Sequence, residues 1–398
     1  MTQTVRESAS RRILVIQKAG DFREAHRRRM AGEGDQYYGH SYVLDELERL
    51  GAAFGEVAIM CCTTRERYSE RLSENLVTIG ANADPKTDQK HILEIVAAWQ
   101  PSHLIVNGPM RFVLEWGLAN RCELMCILAD SFNGGPLHRL FRYRPLARLL
   151  NRQGVALVAN HGLNASHSLA SIGVAPRKIV PWDWPYLRSP ADSPVRSLPA
   201  GTEGLLYVGT LQENKGIGDL INAIALLREA GAAPHLTVVG TGSGSRFQEM
   251  ATALGLEAYI TFAGLLPNER VLELMMASAA VVVPSRHIYP EGFPLTLYEA
   301  LCTRTPIIAS DHPMFRGHLL HGETASIFKA GNSAQLAERI RELLADPALY
   351  GTLSANSASA WASLQNPVKW GDLIERWLRL SQEDLDWLED NSLAAIQK

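Results

Sequence analysis

The sequence predicts an α/β protein built of two doubly wound parallel-sheet domains. Three observations carry this. At 398 residues the chain exceeds what one hydrophobic core ordinarily fills. Short runs rich in Val, Ile and Leu alternate with amphipathic segments along both halves, as when parallel strands are covered on both faces. A Pro-, Ser- and Gly-rich stretch over 189–204, SPADSPVRSLPAGTEG, separates the halves as a linker would. The expected division is a first domain over 1–190, a linker over 191–203, a second domain over 204–362 and terminal helices over 363–398.

In the first half, strands are expected at 13–17, 57–61, 103–107, 124–130, 155–160 and 179–182, with helices at 42–50, 86–99, from 112, and around 137–150. The segment between the first strand and the helix at 42 is long and polar, and a connection of that length is expected to be a functional loop. Its Gly32, Gly34 and Gly39 would let backbone approach a ligand closely. Ligands of such sheets bind beyond the carboxyl ends of strands, which singles out Asp130 and His161. His161 reads equally as a polar site residue, on the acceptor side, and as a hydrogen-bonded structural histidine. Residues 138–152, HRLFRYRPLARLLNR, hold five arginines and no acid. Arg139, Arg142 and Arg144 suit an acceptor phosphate or an anionic membrane surface; a solvated helix face that balances an acidic half is the other reading. Arg27, Arg28 and Arg29 carry the same ambiguity.

In the second half, strands are expected at 205–208, 260–263, 280–283 and 306–309, with a strand and then a Gly-rich turn over 238–244, and helices at 334–344 and 348–360. Gly209-Thr210 follow the first of these strands, Lys215-Gly216 stand at a helix start, and Gly240 and Gly242 form a Gly-rich turn after the next strand. The richest stretch is VVVPSRHIYPEGFPLTLYEALCTRTPIIASD, a strand–loop–helix–strand unit. Pro294 stands near the first helical position, where its missing N–H costs nothing. Glu291 and Glu299 are eight residues apart, a little over two helical turns, so both can line one site. The open N–H groups at the helix start, from about Phe293 on, suit a diphosphate. Glu291 can accept from sugar hydroxyls, and Glu299 from the paired hydroxyls of a ribose. Two ordinary helix carboxylates remain the bland alternative. A tail, PVKWGDLIERWLRL, puts Trp370, Ile374 and Trp377 on one helical face.

PEGFPLTLYEAL, followed by TPIIAS and preceded by YVGTLQENKG, closely resembles family 4 of the retaining glycosyltransferases. The resemblance covers the second half and is traceable in the first. It implies the GT-B fold, in which two Rossmann-like domains face each other across a cleft and the last helices cross back to the first domain. It implies a nucleotide-sugar donor on the second domain and a sugar, glycolipid or other hydroxyl acceptor on the first, in polysaccharide or glycolipid assembly. Glu291, Lys215 and Asp130 are the implied catalytic set. Glu299, Thr210, Gly209, Gly240, Gly242, Arg286, Gly292, Phe293, Pro294, Leu295 and Gly39 are the implied donor contacts. Three positions depart from the family: Thr210 stands for the arginine that pairs with Lys215 on the diphosphate, Ala129 for a histidine before Asp130, and Arg304 for a turn glycine. Thr210 lacks the charge and fork of arginine, and Arg286 is the candidate to supply them. No side chain offers itself as a base. That agrees with a front-face reaction in which the departing phosphate oxygen takes the acceptor proton.

Composition bounds the rest. Hydrophobic residues at 46% and charged residues at 20% are those of a soluble globular protein, and no apolar run has the length of a membrane span. The five-residue apolar run after Arg11-Arg12 is too short for a signal-peptide core, so a cytoplasmic location is expected, with peripheral membrane contact open. Five cysteines without paired C-x-x-C spacing read as reduced, buried residues. No cofactor and no metal are expected: Asp384 and Asp386 match D-x-D but lie in a charged terminal helix away from any strand end. A net charge of −3 implies no general nucleic-acid affinity. Residues 1–190 carry 24 Lys and Arg against 19 Asp and Glu, the remainder 15 against 23, so the first half is mildly basic and the second acidic. The rival class is a degenerate protein of the same fold that binds a nucleotide or partner without turnover; an epimerase or phosphorylase is a third reading.

Overall fold

The computed structural model describes residues 11–35, 39–198, 204–232 and 234–396. The chain divides into two compact units, the first comprising Met1–Trp184 with Asn366–Lys398 and the second Pro185–Gln365. The division falls at Trp184/Pro185, inside PWDWPY. Residues 191–198, the described part of the expected linker, belong to the second unit; 199–203 lie outside the described residues.

The described residues of the first unit form eight strands: β1 (Arg11–Gln17), β2 (Gly55–Cys61), β3 (Tyr68–Ser73), β4 (Leu76–Gly80), β5 (His103–Asn107), β6 (Glu123–Leu128), β7 (Val155–His161) and β8 (Ile179–Trp182). Their order is β3-β4-β2-β1-β5-β6-β7-β8, parallel except for β3 against β4. Register pairs Ile13 with Val57 on one side and His103 on the other. Because side chains alternate across a strand, β1 feeds two cores. Leu14 and Ile16 join Leu104, Val106 and Leu124 on one face. Ile13 and Val15 join Val57, Ile59 and Ile105 on the other. The second face is closed by the helix His40–Phe54 and by the helix Trp370–Arg379, whose Trp370, Ile374 and Trp377 are buried there. Truncating a fully buried tryptophan of this kind costs about 3–5 kcal/mol.

The long polar segment after β1 is not loop throughout its described residues. It contains the helix Phe22–Met30, capped by Asp21, whose carboxylate accepts from the Glu24 N–H at 3.0 Å. Arg27, Arg28 and Arg29 on it pair with Glu70, with Glu24 and Glu33, and with Asp45. The strands β3 and β4 were not expected either; β3, YSERLS, is a charged, half-exposed edge strand.

The second unit holds β9 (Leu205–Val208), β10 (Leu236–Val239), β11 (Ile260–Gly264), β12 (Ala280–Val283), β13 (Ile307–Ser310) and β14 (Ser326–Phe328), all parallel in the order β11-β10-β9-β12-β13-β14. Its core combines Leu205, Val238 and Val282 with the helices Ile217–Glu229 and Ser333–Ala345. Arg196 ties the linker residues to this unit, donating to the carbonyls of Met275 and Ser278 and to Thr305. Arg304, where a turn glycine is expected, does take a left-handed φ of 50°. Its guanidinium donates to the carbonyls of Pro190 at 2.7 Å and Ala355 at 3.2 Å, so hydrogen bonds offset the strain.

Candidate functional site

The carboxyl ends of β9, β10, β12 and β13 lie at one end of the second sheet, and the loops leaving them carry the candidate donor residues. Gly216 decides how two of these loops meet. Its φ is +78°, and a Cβ there would stand 2.0 Å from the Pro284 carbonyl oxygen. Only glycine permits that approach. It lays the turn Glu213–Lys215 against the loop after β12, where Lys215 Nζ donates to Glu291 Oε1 at 2.6 Å. Both side chains are largely buried. Ser285 Oγ donates to the same oxygen at 2.5 Å, and the ammonium stands 4.5 Å from the Tyr289 ring centroid. Behind them Ser310 Oγ donates to the Ser285 carbonyl, and His312 Nε2 meets the Tyr289 carbonyl at 3.1 Å. Burial pushes the His312 pKa down, so this imidazole favours its neutral form.

Gly240 performs a second close approach. A Cβ there would stand 1.9 Å from the Gly209 carbonyl oxygen, so the ends of β9 and β10 touch through glycine backbone. Gly242 bridges to Leu211 beside it. Thr210 is exposed, and its carbonyl accepts from Tyr207 Oη at 2.9 Å. Arg286 is held rather than open: its guanidinium donates in a fork to Asp219 at 2.8 and 2.7 Å and meets Glu213 at 3.0 Å. Its backbone N–H donates to the Asn214 carbonyl, so it braces the Lys215 turn.

The helix Leu295–Cys302 begins after Pro294, which caps it in an extended conformation. Its first turn leaves N–H groups without acceptors inside the helix. Gly292 precedes Phe293, which is buried edge-on to Tyr298 and Phe315 and anchors the helix start. Glu299, one turn along, accepts from Asn268 Nδ2 at 2.5 Å. It keeps some accessible surface, yet the crowding of its carboxyl pushes its pKa up to about 7, desolvation outweighing the Asn268 bond.

The remaining candidates belong to the first unit. Asp130, just past β6, is raised to about 6 by burial, against a smaller opposing effect of Lys18. His161 ends β7 buried, its Nε2 2.9 Å from Asp183 Oδ1 and its ring against Trp182. Those contacts are the structural reading of this histidine. Gly39, with φ +89°, starts the helix His40–Phe54 against the Trp184 ring. Arg139, Arg142 and Arg144 are exposed on a helical run of Pro136–His138, a π-helical turn Arg139–Tyr143, and Arg144–Leu150. Asp384 caps a helix through Ser381 and pairs with Arg376, a structural use of the D-x-D. Among the described residues no cluster of three or more His, Cys, Asp or Glu could hold a metal ion.

Sequence reasoning missed Ser285, Asp219 and Asn268. Ser285 directly follows the Pro284 that ends the β12 run, and that position was its signal. Asp219 and Asn268 carried none, because their partners are distant in sequence.

Comparison with known proteins agrees with this architecture. Residues 190–360, less than half the chain, match the family model described as Glycosyl transferases group 1. D-inositol 3-phosphate glycosyltransferase of Nocardia farcinica is 32% identical over 157 residues, 37% of this chain and 34% of that protein. Glycogen synthase of Mycobacterium tuberculosis is 30% identical over 182 residues, 45% of this chain and 41% of that protein. The chain thus spans between about a third and two fifths of the length of these relatives. Among solved structures, sucrose-phosphate synthase of Thermosynechococcus elongatus superposes with a TM-score of 0.67 at 19% identity, over 93% of this chain and all of that one. Anabaena Alr3699/HepE in complex with UDP-glucose gives 0.65 at 16% identity, over 94% and 99%. At such identities the likeness shows the fold, and that fold is GT-B.

Proposed function

We propose that the chain is a retaining glycosyltransferase of family 4 that moves a sugar from a nucleotide-sugar to an acceptor hydroxyl, in polysaccharide or glycolipid assembly. The observation that carries this is the Lys215–Glu291 pair, set beside the open start of the helix Leu295–Cys302. The helix N–H groups and Lys215 take the donor diphosphate, and the charge that develops on the leaving group is stabilised where it appears. Lys215 then turns from Glu291 toward the phosphates, and Glu291 accepts from the sugar hydroxyls. Glu299, as the carboxylate, accepts from the ribose diol. The glycine contact of Gly209 with Gly240 leaves backbone as the wall beside the nucleotide. Arg286 acts through Lys215's turn, since its charge is already met by Asp219 and Glu213.

Asp130 serves the acceptor side. The departing phosphate oxygen takes the acceptor proton, so the reaction calls for the donor and the acceptor and no cofactor. Five buried, unpaired cysteines fit a reducing cytoplasm. The test is a thermal-shift screen of nucleotide-sugars, with UDP-sugars first because the Anabaena relative holds UDP-glucose, followed by product analysis on the donor that binds. A donor at 100 times its dissociation constant adds about 2.7 kcal/mol of stability. No shift with any nucleotide-sugar overturns the reading. A shift without product in the presence of diverse acceptors supports the second one, a binder without turnover, which Thr210 and the engaged Arg286 favour.

A further inference from the structure

Between Asp130 and Asp183 the chain contains no Asp or Glu, while it contains six arginines and one lysine. Five of the arginines, Arg139, Arg142, Arg144, Arg148 and Arg152, fall in or next to the helical run that starts at Pro136. None of these five makes an ion pair among the described residues. The contrast with Arg27, Arg28 and Arg29, each matched by a carboxylate, is direct. A merely solvated basic face would also keep its apolar side chains covered. Here Leu137, Phe141 and Leu140 are 71%, 68% and 46% exposed, interleaved with Arg139, Arg142 and Arg144. The far end of the run is anchored: Leu146, Leu149 and Leu150 are buried in the core. A cavity of about 610 Å³ opens at the near end, between Gly134, Pro136, Arg139, Leu140 and Arg144.

We infer that this run is a docking face for an anionic phospholipid surface. Leu137, Leu140 and Phe141 enter the headgroup–acyl boundary, and Arg139, Arg142 and Arg144 meet the phosphates, Arg139 and Arg144 from the walls of the cavity. Each half of the pattern needs the other. Arginines alone suit any anion, and exposed apolar residues alone suit any partner. Cations interleaved with Leu and Phe on a helix that lies at a surface match an interface that is charged outside and oily within. A soluble phosphorylated acceptor would use the arginines and leave Leu137 and Phe141 in water.

The inference does not rest on transferase activity, and its test needs no donor. The full chain is co-sedimented with vesicles of phosphatidylcholine, with and without phosphatidylglycerol, at low and high salt. Binding is expected only to the anionic vesicles and is expected to weaken with salt. Arg139→Gln/Arg142→Gln/Arg144→Gln should lower partitioning on the order of a hundredfold. Leu137→Ser/Phe141→Ser should lower it on the order of tenfold at either salt. All five positions are exposed, and an unchanged thermal midpoint verifies the fold of each variant. Three results overturn the inference: no binding by the unaltered chain, equal binding by either variant, or stabilisation by pyrophosphate or a sugar phosphate through these arginines with no vesicle binding. The last identifies a soluble anion as the ligand.

Discussion

Replacing Glu299 by glutamine should change how the protein's stability depends on pH. The carboxyl rises from an ordinary 4.5 to about 7 because burial outweighs its bond from Asn268. At about 1.4 kcal/mol per pH unit, ionising Glu299 in the folded chain costs roughly 3 kcal/mol. A folded pKa raised above the unfolded one means that the folded state holds the proton more tightly. The stabilisation is then complete below the unfolded value and lost as pH climbs to the folded one. The window is pH 4.5 to 7. Glu299→Gln keeps the shape and the acceptor for Asn268 but carries no titrating proton. Across that window the unaltered chain should lose roughly 3 kcal/mol relative to the variant. At 2–4 °C per kcal/mol this is a relative fall of roughly 6–12 °C in the midpoint of the second unit. Thermal melts at pH 5 and pH 8, without and with donor, measure it. Donor hydroxyls that bond to the carboxylate should narrow the difference at pH 8. An identical gap between the two proteins at both pH values refutes the reasoning.

Lys215→Ala should weaken donor binding and also destabilise the fold by about 3 kcal/mol, since it leaves the buried Glu291 without its cation; donor titration and urea melts read the two effects. Glu291→Gln keeps the shape and should fall mainly on turnover, because the proposed sugar contact changes most as the anomeric bond breaks; steady-state kinetics with normal kcat would count against its role. Arg304→Ala keeps the left-handed backbone and loses the bonds to Pro190 and Ala355, so it should be less stable than Arg304→Gly by about 1 kcal/mol in denaturant melts.

Buried parallel strands were legible because they are continuous apolar runs, as Ala280–Val283 and Leu205–Val208 are. β3 was not, because an edge strand with charged, half-exposed side chains has the composition of a loop. The helix Phe22–Met30 had a signal that went unread, Asp21 with Glu24 three residues on. Within the site, Lys215 and Glu291 could each be chosen by their motifs. Their bond spans 76 residues and depends on Gly216 meeting Pro284, which no local pattern encodes. Arg286 shows the reverse. Its charge made it a candidate for the diphosphate, and only Asp219, 67 residues away, shows that its fork is already occupied. Arg304 was read as the loss of a glycine, whereas its side chain reaches two carbonyls on other segments.

The residues 366–398 complete the first unit, and this orders events during synthesis. The second unit is one unbroken stretch of chain and can close on itself while the ribosome is still translating. The first unit cannot. One face of its sheet stays bare of Trp370, Ile374 and Trp377 until residues 366–398 leave the exit tunnel. The first unit therefore closes only after the whole of the second has been synthesised. Until then its apolar strands stay open to chaperones and to one another on crowded polysomes.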